Sequence, residues 1–240
     1  ARAGLIALRF DPDGTGDSAG DDLDPARLEH WLDSIDDACA LVRRAGAERI
    51  VLAGVRLGAL LAATCAARRD DIAGVVAIAA VPTGKALLRE GSALQLALGL
   101  APPPPGAEMR EREVVGFAIS DETWEAIGAL DMKASTRAPA PRMLLIDRDD
   151  RPPNDAWAAH LRALPVEVTQ LRLPGYVDMT LDPHRTVVPT AITRPPRARV
   201  RRIFSTSSAP TFSHSRCISW SSISSSRTGW KVPAPTCSVT

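Results

Sequence analysis

The chain alternates between short continuous apolar runs and longer segments in which apolar residues recur every three or four positions. Continuous runs of this length predict strands that are buried on both faces, and the wider spacing predicts amphipathic helices. The predicted strands cover 5–10, 49–53, 74–81, 143–146 and 166–173, and the predicted helices begin near 24, 57, 87, 120 and 154. This order predicts an α/β protein in which a mainly parallel sheet lies between two layers of helices.

The first predicted helix carries the clearest end signals. Asp24 is expected to act as its N-cap, with Pro25 at the first helical position. Gly46 follows the last apolar residue of the pattern and is expected to cap the C-terminus. Apolar residues at helical spacing then form the predicted buried face: Leu28, Trp31, Leu32, Ile35, Cys39 and Val42.

A glycine-flanked turn separates the second predicted strand from the second predicted helix. It reads Gly54-Val55-Arg56-Leu57-Gly58. A strand, a tight turn and a helix are the setting of the nucleophile elbow G-x-S-x-G, and here arginine stands in the place of the serine. A guanidinium stays protonated in proteins and cannot attack a carbonyl carbon. The turn therefore indicates a hydrolase type of fold and argues against its usual chemistry.

Four segments, in this order and spacing, resemble the α/β-hydrolase superfamily. They are 8–20, with the sequence LRFDPDGTGDSAG, the turn 54–58, the strand 143–150, and PGYVDMTLDPH at 174–184. The resemblance is greatest to the serine-aminopeptidase-like branch and to the small bacterial hydrolases associated with exosortase and exopolysaccharide gene clusters. It implies an α/β-hydrolase fold over residues 1–193, and hydrolysis of ester, amide or thioester bonds.

The resemblance also implies where catalytic partners would lie. An acid is expected just after the strand at 143–146, and Asp150 matches its place better than Asp149 or Asp147. His184 resembles the family's histidine. The alternative for His184 is a surface residue that follows Pro183 at the start of a helix. The other histidines are His30, His160 and His214, and the alternative nucleophiles Ser18 and Cys65 are poorly placed for the elbow.

Arg56 at the start of a helix would face the positive end of the helix dipole, so its charge needs compensation. One hypothesis is an internal ion pair with Asp150, Asp149 or Asp178. A second is a bound carboxylate or phosphate, held by the guanidinium together with the N–H groups of Leu57 and Gly58. A third is that the arginine is a sequence error or an engineered change.

Residues 82–141 form a looser region, and the resemblance makes it a small helical lid. The tetraproline at 102–105 predicts a stiff extended break, and Ser120 or Asp121 is expected to cap the next helix. Apolar residues in this region are expected either to read the substrate or to form the lid's own small core. They are Leu87, Leu94, Leu96, Leu98, Phe117, Ile119 and Trp124.

The ends of the chain differ from its body. Residues 194–240 hold eight basic residues, twelve serines and no acid, whereas the remainder holds 21 basic and 28 acidic residues. The tail is expected to be non-native sequence, such as a segment read out of frame, a solvated linker-like tail, or a basic binding tail. By the family pattern, the chain also begins near the fourth strand, so the loop that supplies one oxyanion-hole N–H is expected to lie upstream.

Composition narrows the function classes. The chain is 45% hydrophobic and 24% charged, which is typical of a globular domain. We expect a cytoplasmic location, with no transmembrane segment, no nucleic-acid partner and no cofactor. We also expect no metal site, because the four cysteines form no ligand pattern. Two functions remain: a hydrolase with a small-molecule substrate, or a non-catalytic hydrolase-like protein that binds a small acidic ligand or a protein partner.

Overall fold

The computed structural model describes residues 6–97, 111–114, 117–180 and 184–193. The tetraproline, Leu98 and the tail 194–240 lie outside the described residues. The elements in chain order are α1 (Arg27–Arg44), β1 (Ile50–Val55), α2 (Leu57–Ala67), β2 (Ile72–Ile78), α3 (Gly84–Ala97), β3 (Glu111–Val114), β4 (Phe117–Ser120), α4 (Asp121–Ala129), β5 (Arg142–Arg148), α5 (Asp155–Arg162), β6 (Glu167–Leu173), α6 (Tyr176–Met179) and α7 (Thr190–Thr193).

The main sheet has four strands in the order β1-β2-β5-β6, and every neighbouring pair is parallel. The prediction of a parallel sheet is therefore confirmed. The strand that leads into the glycine-flanked turn is β1. In the described sheet it is an edge strand, because only β2 pairs with it.

The sheet is buried on both faces, as the continuous apolar runs predicted. Alternate residues of β2 and β5 point to opposite sides: Val75 and Met143 belong to the larger core, with residues of α1, α2 and α5. Val76 and Leu144 belong to a second core that the short helices α6 and α7 complete. Helices thus flank both faces of the parallel sheet, which places the protein in the three-layer α/β class.

Residues 6–10 do not form the predicted first strand. They have no regular structure, none of the described strands pairs with them, and Ile6 is 43% exposed. An apolar run acquires strand structure only when a neighbouring strand supplies hydrogen-bond partners. Residues 6–10 have the apolar pattern of a strand, but that pattern does not show whether a neighbouring strand is present.

The start of α1 was also placed wrongly. The helix begins at Arg27, and Asp24 instead accepts a hydrogen bond from the N–H of Asp21 (2.8 Å). The guanidinium of Arg27, only 5% exposed, donates to the carbonyls of Asp21 and Gly14, so it ties the helix to the preceding loop. The C-terminal cap is confirmed: Gly46 has φ 95° and its N–H donates to the carbonyl of Arg43 (2.9 Å).

Residues between β2 and β5 form an insertion between adjacent strands, built from α3, the antiparallel β3–β4 hairpin and α4. The predicted cap of α4 is confirmed, since the Ser120 hydroxyl accepts from the N–H of Thr123 (3.2 Å). The hairpin was not predicted, because each of its strands has only four residues. Leu87 and Trp124 pack partly against the main core, whereas Leu94 and Leu96 are exposed.

Within the described ranges, no helix is both long enough and apolar enough to cross a bilayer.

Candidate functional site

The turn after β1 has the geometry of an elbow. Arg56 is the single residue between β1 and α2, and its backbone has φ 54° and ψ −116°, a conformation that non-glycine residues rarely adopt. Its N–H donates to the carbonyl of Ile78 in β2 (3.0 Å), and its carbonyl accepts from the N–H of Leu60 (3.2 Å). The strand–turn–helix expected at this place is confirmed, and the arginine side chain is presented at the carboxyl edge of the sheet.

An acid of α3 compensates the charge of Arg56. One terminal nitrogen of the guanidinium, Nη2, lies 2.5 Å from Oε2 of Glu90, and Nη1 donates to the carbonyl of Ala79 (3.4 Å). The Arg56 and Glu90 side chains are 24% and 32% exposed. One of the three hypotheses for Arg56, an internal ion pair, therefore holds in the structure, but with a different acid.

The partner is Glu90 and not Asp150, Asp149 or Asp178. Glu90 is the only acid of α3, and it lies 34 residues along the chain from Arg56. The position of α3 beside the elbow depends on how the residues between β2 and β5 pack on the sheet. Local sequence does not encode that packing. The one available signal was that α3 contains a single acid.

Asp150 is held by Arg148, the last residue of β5. The Arg148 guanidinium donates to both carboxylate oxygens of Asp150, with 2.8 Å between Nε and Oδ1. Arg148 also lies over the ring of Tyr176, 4.3 Å from its centroid. The hydrogen bond from Arg148 lowers the pKa of Asp150, and the same bond raises the pKa of Arg148. Asp150 is therefore the anionic partner of Arg148.

Asp147 is the buried carboxylate at the end of β5. It is 8% exposed and accepts hydrogen bonds from the side-chain amide of Gln170 (2.7 Å) and from the N–H of Asn154 (3.3 Å). Sequence reasoning had ranked Asp150 above Asp147. The structure places Asp147 against the cleft described below, whereas Asp150 turns to Arg148.

His184 is exposed, in the segment between α6 and α7. The pairing of Asp150 with His184 as an acid and a base stays a prediction.

A cleft of about 290 Å³ lies at the carboxyl ends of β1, β2 and β5. This edge is where open parallel sheets bind ligands. The charged side chains that line it include four cations and two anions: Arg56, Lys133, Arg148, Arg151, Glu90 and Asp147. Within the part of the chain that the structure describes, no ion pair involves Lys133 or Arg151. The cleft therefore has an excess of positive charge.

The alternative nucleophiles do not line this cleft. Cys65 is 1% exposed, and burial, followed by the charge of Asp36, raises the pKa of its thiol to about 12. A thiol with such a pKa is protonated and a poor nucleophile at neutral pH. The Ser18 hydroxyl donates to the carbonyl of Asp11 (2.5 Å) within the loop after residue 10. Among the described residues, no group of three or more His, Cys, Asp or Glu side chains could hold a metal ion.

No protein-family model and no curated protein sequence matches the chain. Its structure is similar to that of Est1E from Butyrivibrio proteoclasticus with ferulic acid bound, at 19% identity and a TM-score of 0.48, over 69% of this chain and 66% of that chain. It is also similar to a monoacylglycerol lipase from Paleococcus ferrophilus, at 21% identity and a TM-score of 0.37, over 62% of this chain and 65% of that chain.

A third similar structure is an acylaminoacyl peptidase from Pyrococcus horikoshii, at 18% identity and a TM-score of 0.41, over 74% of this chain and 26% of that chain. The chain spans slightly less than two thirds of the length of Est1E and of the lipase. The architecture described above rests on the strand order, the two cores and the elbow of this chain itself.

Proposed function

We propose that this chain is an α/β-hydrolase-like protein without the serine nucleophile, and that the cleft at its elbow binds a small acidic ligand. The observation that carries the proposal is the position of Arg56. Its guanidinium stands at the elbow and lines a cleft with twice as many cationic as anionic side chains. A fold does not by itself imply an activity, so the function is argued from these side chains.

The chemistry of the cleft suits recognition better than hydrolysis. A nucleophile must be deprotonated or activated by a neighbouring base, and a guanidinium meets neither condition. A guanidinium does suit a carboxylate or a phosphate, because its N–H groups form a planar fork. α2 adds the positive end of its dipole beside Arg56, since the helix begins at Leu57.

Two further exposed cations line the cleft, Lys133 and Arg151, and neither forms an ion pair with an acid among the described residues. Such groups attract an anion over several ångströms, and salt screens that attraction. A ligand with a small body and one or more acidic groups fits both the charge and the volume of about 290 Å³. A protein partner that presents an acidic side chain would use the same chemistry.

Hydrolysis of an ester, amide or thioester is the second candidate. It is supported by the elbow backbone at Arg56, which has φ 54° and ψ −116°, and by the resemblance of the sequence. An esterase assay separates the two functions. With a p-nitrophenyl ester series, we expect wild type to show no turnover above buffer. Turnover that survives Arg56→Ala but disappears with His184→Ala would contradict the proposal.

Anion binding provides the direct test. Wild type is titrated with citrate and with inorganic phosphate by isothermal calorimetry at low ionic strength. We expect Arg151→Gln to weaken binding several-fold, because it removes an unpaired cation from the cleft. Arg89→Gln is the matched control, since Arg89 is an exposed arginine of α3 on a different groove. Equal binding by both variants, or no binding by wild type, would count against the proposal.

A further inference from the structure

Glu90 sits among fixed cations at the elbow. Its carboxylate contacts the Arg56 guanidinium at 2.5 Å, and its charge also acts on Arg148, whose pKa is raised by Asp150 first and by Glu90 to a lesser degree. All three side chains line the same cleft. Guanidiniums bind carboxylates through charge-assisted hydrogen bonds, so a cleft lined by two of them suits an acidic ligand. In this chain an internal carboxylate takes that position.

We propose that the space beside Arg56 and Arg148 is the carboxylate subsite of the cleft, and that a ligand carboxylate binds there by taking the place of Glu90. This inference rests on the proposed function and makes it more specific. Glu90 is then the residue that sets the affinity of the subsite, because a ligand must compete with it.

The two guanidiniums have other partners that hold them when Glu90 leaves. Arg56 donates to the carbonyl of Ala79, and its backbone is hydrogen-bonded to Ile78. Arg148 is bound to Asp150 and lies over Tyr176. Because these contacts do not involve Glu90, the subsite keeps its shape during the exchange. A preorganised site of this kind binds a ligand with little loss of conformational entropy.

Glu90 is free to leave, since its side chain is 32% exposed and turns about three single bonds. The helix need not move as a whole. The N-terminus of α3 is fixed, because the N–H of Gly84 donates to the carbonyl of Leu130 (2.8 Å). The C-terminal half of the same helix is more open, with Leu94 50% and Leu96 64% exposed. A rotamer change of Glu90 toward solvent therefore opens the subsite without breaking the packing of α3.

A carboxylate is a better match for this subsite than a phosphate. Exchange of one carboxylate for another leaves the charge of the cluster unchanged, whereas a phosphate brings up to two negative charges close to Asp147 and Asp150. The remainder of the cleft, about 290 Å³ in all, takes the body of a small carboxylic acid.

Chemical rescue tests the proposal. In Glu90→Ala the subsite has lost its internal carboxylate, so added sodium acetate should bind in its place. We expect acetate to raise the unfolding midpoint of Glu90→Ala by several degrees in a saturable manner, relative to sodium chloride at the same ionic strength. Glu125→Ala is the control, because Glu125 is an exposed acid of α4 outside this cleft. Equal effects of acetate and chloride on Glu90→Ala would overturn the proposal.

Glu90→Gln keeps the shape of the side chain and provides a second measurement if the alanine variant fails to fold. We expect half-saturation by acetate at a concentration about tenfold lower than for wild type. Weaker or unchanged binding overturns the inference; if wild type still binds citrate in an Arg151-dependent manner, the proposed function survives. If no form of the protein binds acetate, citrate or phosphate, the inference and the proposed function both fail.

Discussion

A Cβ atom on Gly54 would lie 2.1 Å from the carbonyl oxygen of Gly58 and 2.5 Å from the N–H nitrogen of Ala59. The end of β1 and the first turn of α2 are thus in direct backbone contact, and only a residue without a side chain fits at position 54. A Cβ on Gly58 would meet nothing within 4 Å. The two glycines of the elbow therefore have different roles.

We predict that Gly54→Ala is strongly destabilising and that Gly58→Ala is tolerated. Overpacking costs about 1–3 kcal/mol when side chains can shift, and here the obstacle is backbone, so we expect a loss of at least about 3 kcal/mol. Gly58 lies in the first turn of a helix, where alanine is favoured over glycine by up to about 1 kcal/mol. Urea unfolding of both variants measures the difference. Equal effects would show that the close approach is absent.

Because of the backbone conformation of Arg56, we predict that glycine destabilises the protein less than alanine does at this position, the opposite of the usual order. Both Arg56→Ala and Arg56→Gly remove the ion pair with Glu90, but only glycine relieves the strain of φ 54° and ψ −116°. Such strain costs about 1–3 kcal/mol, so Arg56→Gly should unfold at a higher urea concentration than Arg56→Ala. A more stable alanine variant would mean that the turn is not held in this conformation.

We predict that the protein loses folding stability in acid as Asp150 becomes protonated. The hydrogen bond from Arg148 lowers its pKa in the folded state below the unfolded value. The contribution of this carboxylate to folding is therefore complete above about pH 4 and is lost as the pH falls through the lower, folded pKa.

Asp150→Asn should lower the thermal midpoint at pH 7, and its difference from wild type should shrink toward pH 2. Asp149→Asn is the matched control, because Asp149 is an exposed aspartate next to Asp150. A constant difference at both pH values would show that the ion pair of Asp150 with Arg148 does not contribute.

The buried cysteines predict protection from alkylation. Burial raises the pKa of Cys39, and it raises that of Cys65 to about 12. Iodoacetamide at pH 8 should leave both thiols unmodified in the folded protein and label them in urea, as peptide mass spectrometry can measure. Rapid labelling of Cys65 in the native protein would restore it as a candidate nucleophile.

Sequence reasoning succeeded where the signal is local. Gly46 and Ser120 cap helices through hydrogen bonds to residues three or fewer positions away, so the cap and its partner are read together. The elbow at 54–58 was found for the same reason. The strands were found because a parallel sheet with helices on both faces needs continuous apolar runs, and these runs are visible in the sequence.

Two of the misses concern contacts that the local pattern does not reveal. Residues 6–10 have the composition of a strand, but a strand exists only beside another strand. Asp24 has the composition of an N-cap, but the buried guanidinium of Arg27 and its carbonyl partners fix the helix start instead. In each case local propensity, worth about 1 kcal/mol, gave way to tertiary contacts.

The sequence by itself determined the three-layer α/β architecture and the strand–turn–helix at Arg56, because periodicity and turn chemistry are properties of neighbouring residues. Only the tertiary structure decided which charges meet at the carboxyl edge of the sheet. It placed Glu90 of the insertion against Arg56, and it turned Asp150 to Arg148 while Asp147 was buried beside the cleft. Ion pairs depend on distances of a few ångströms between separate elements, and the packing of those elements alone sets such distances.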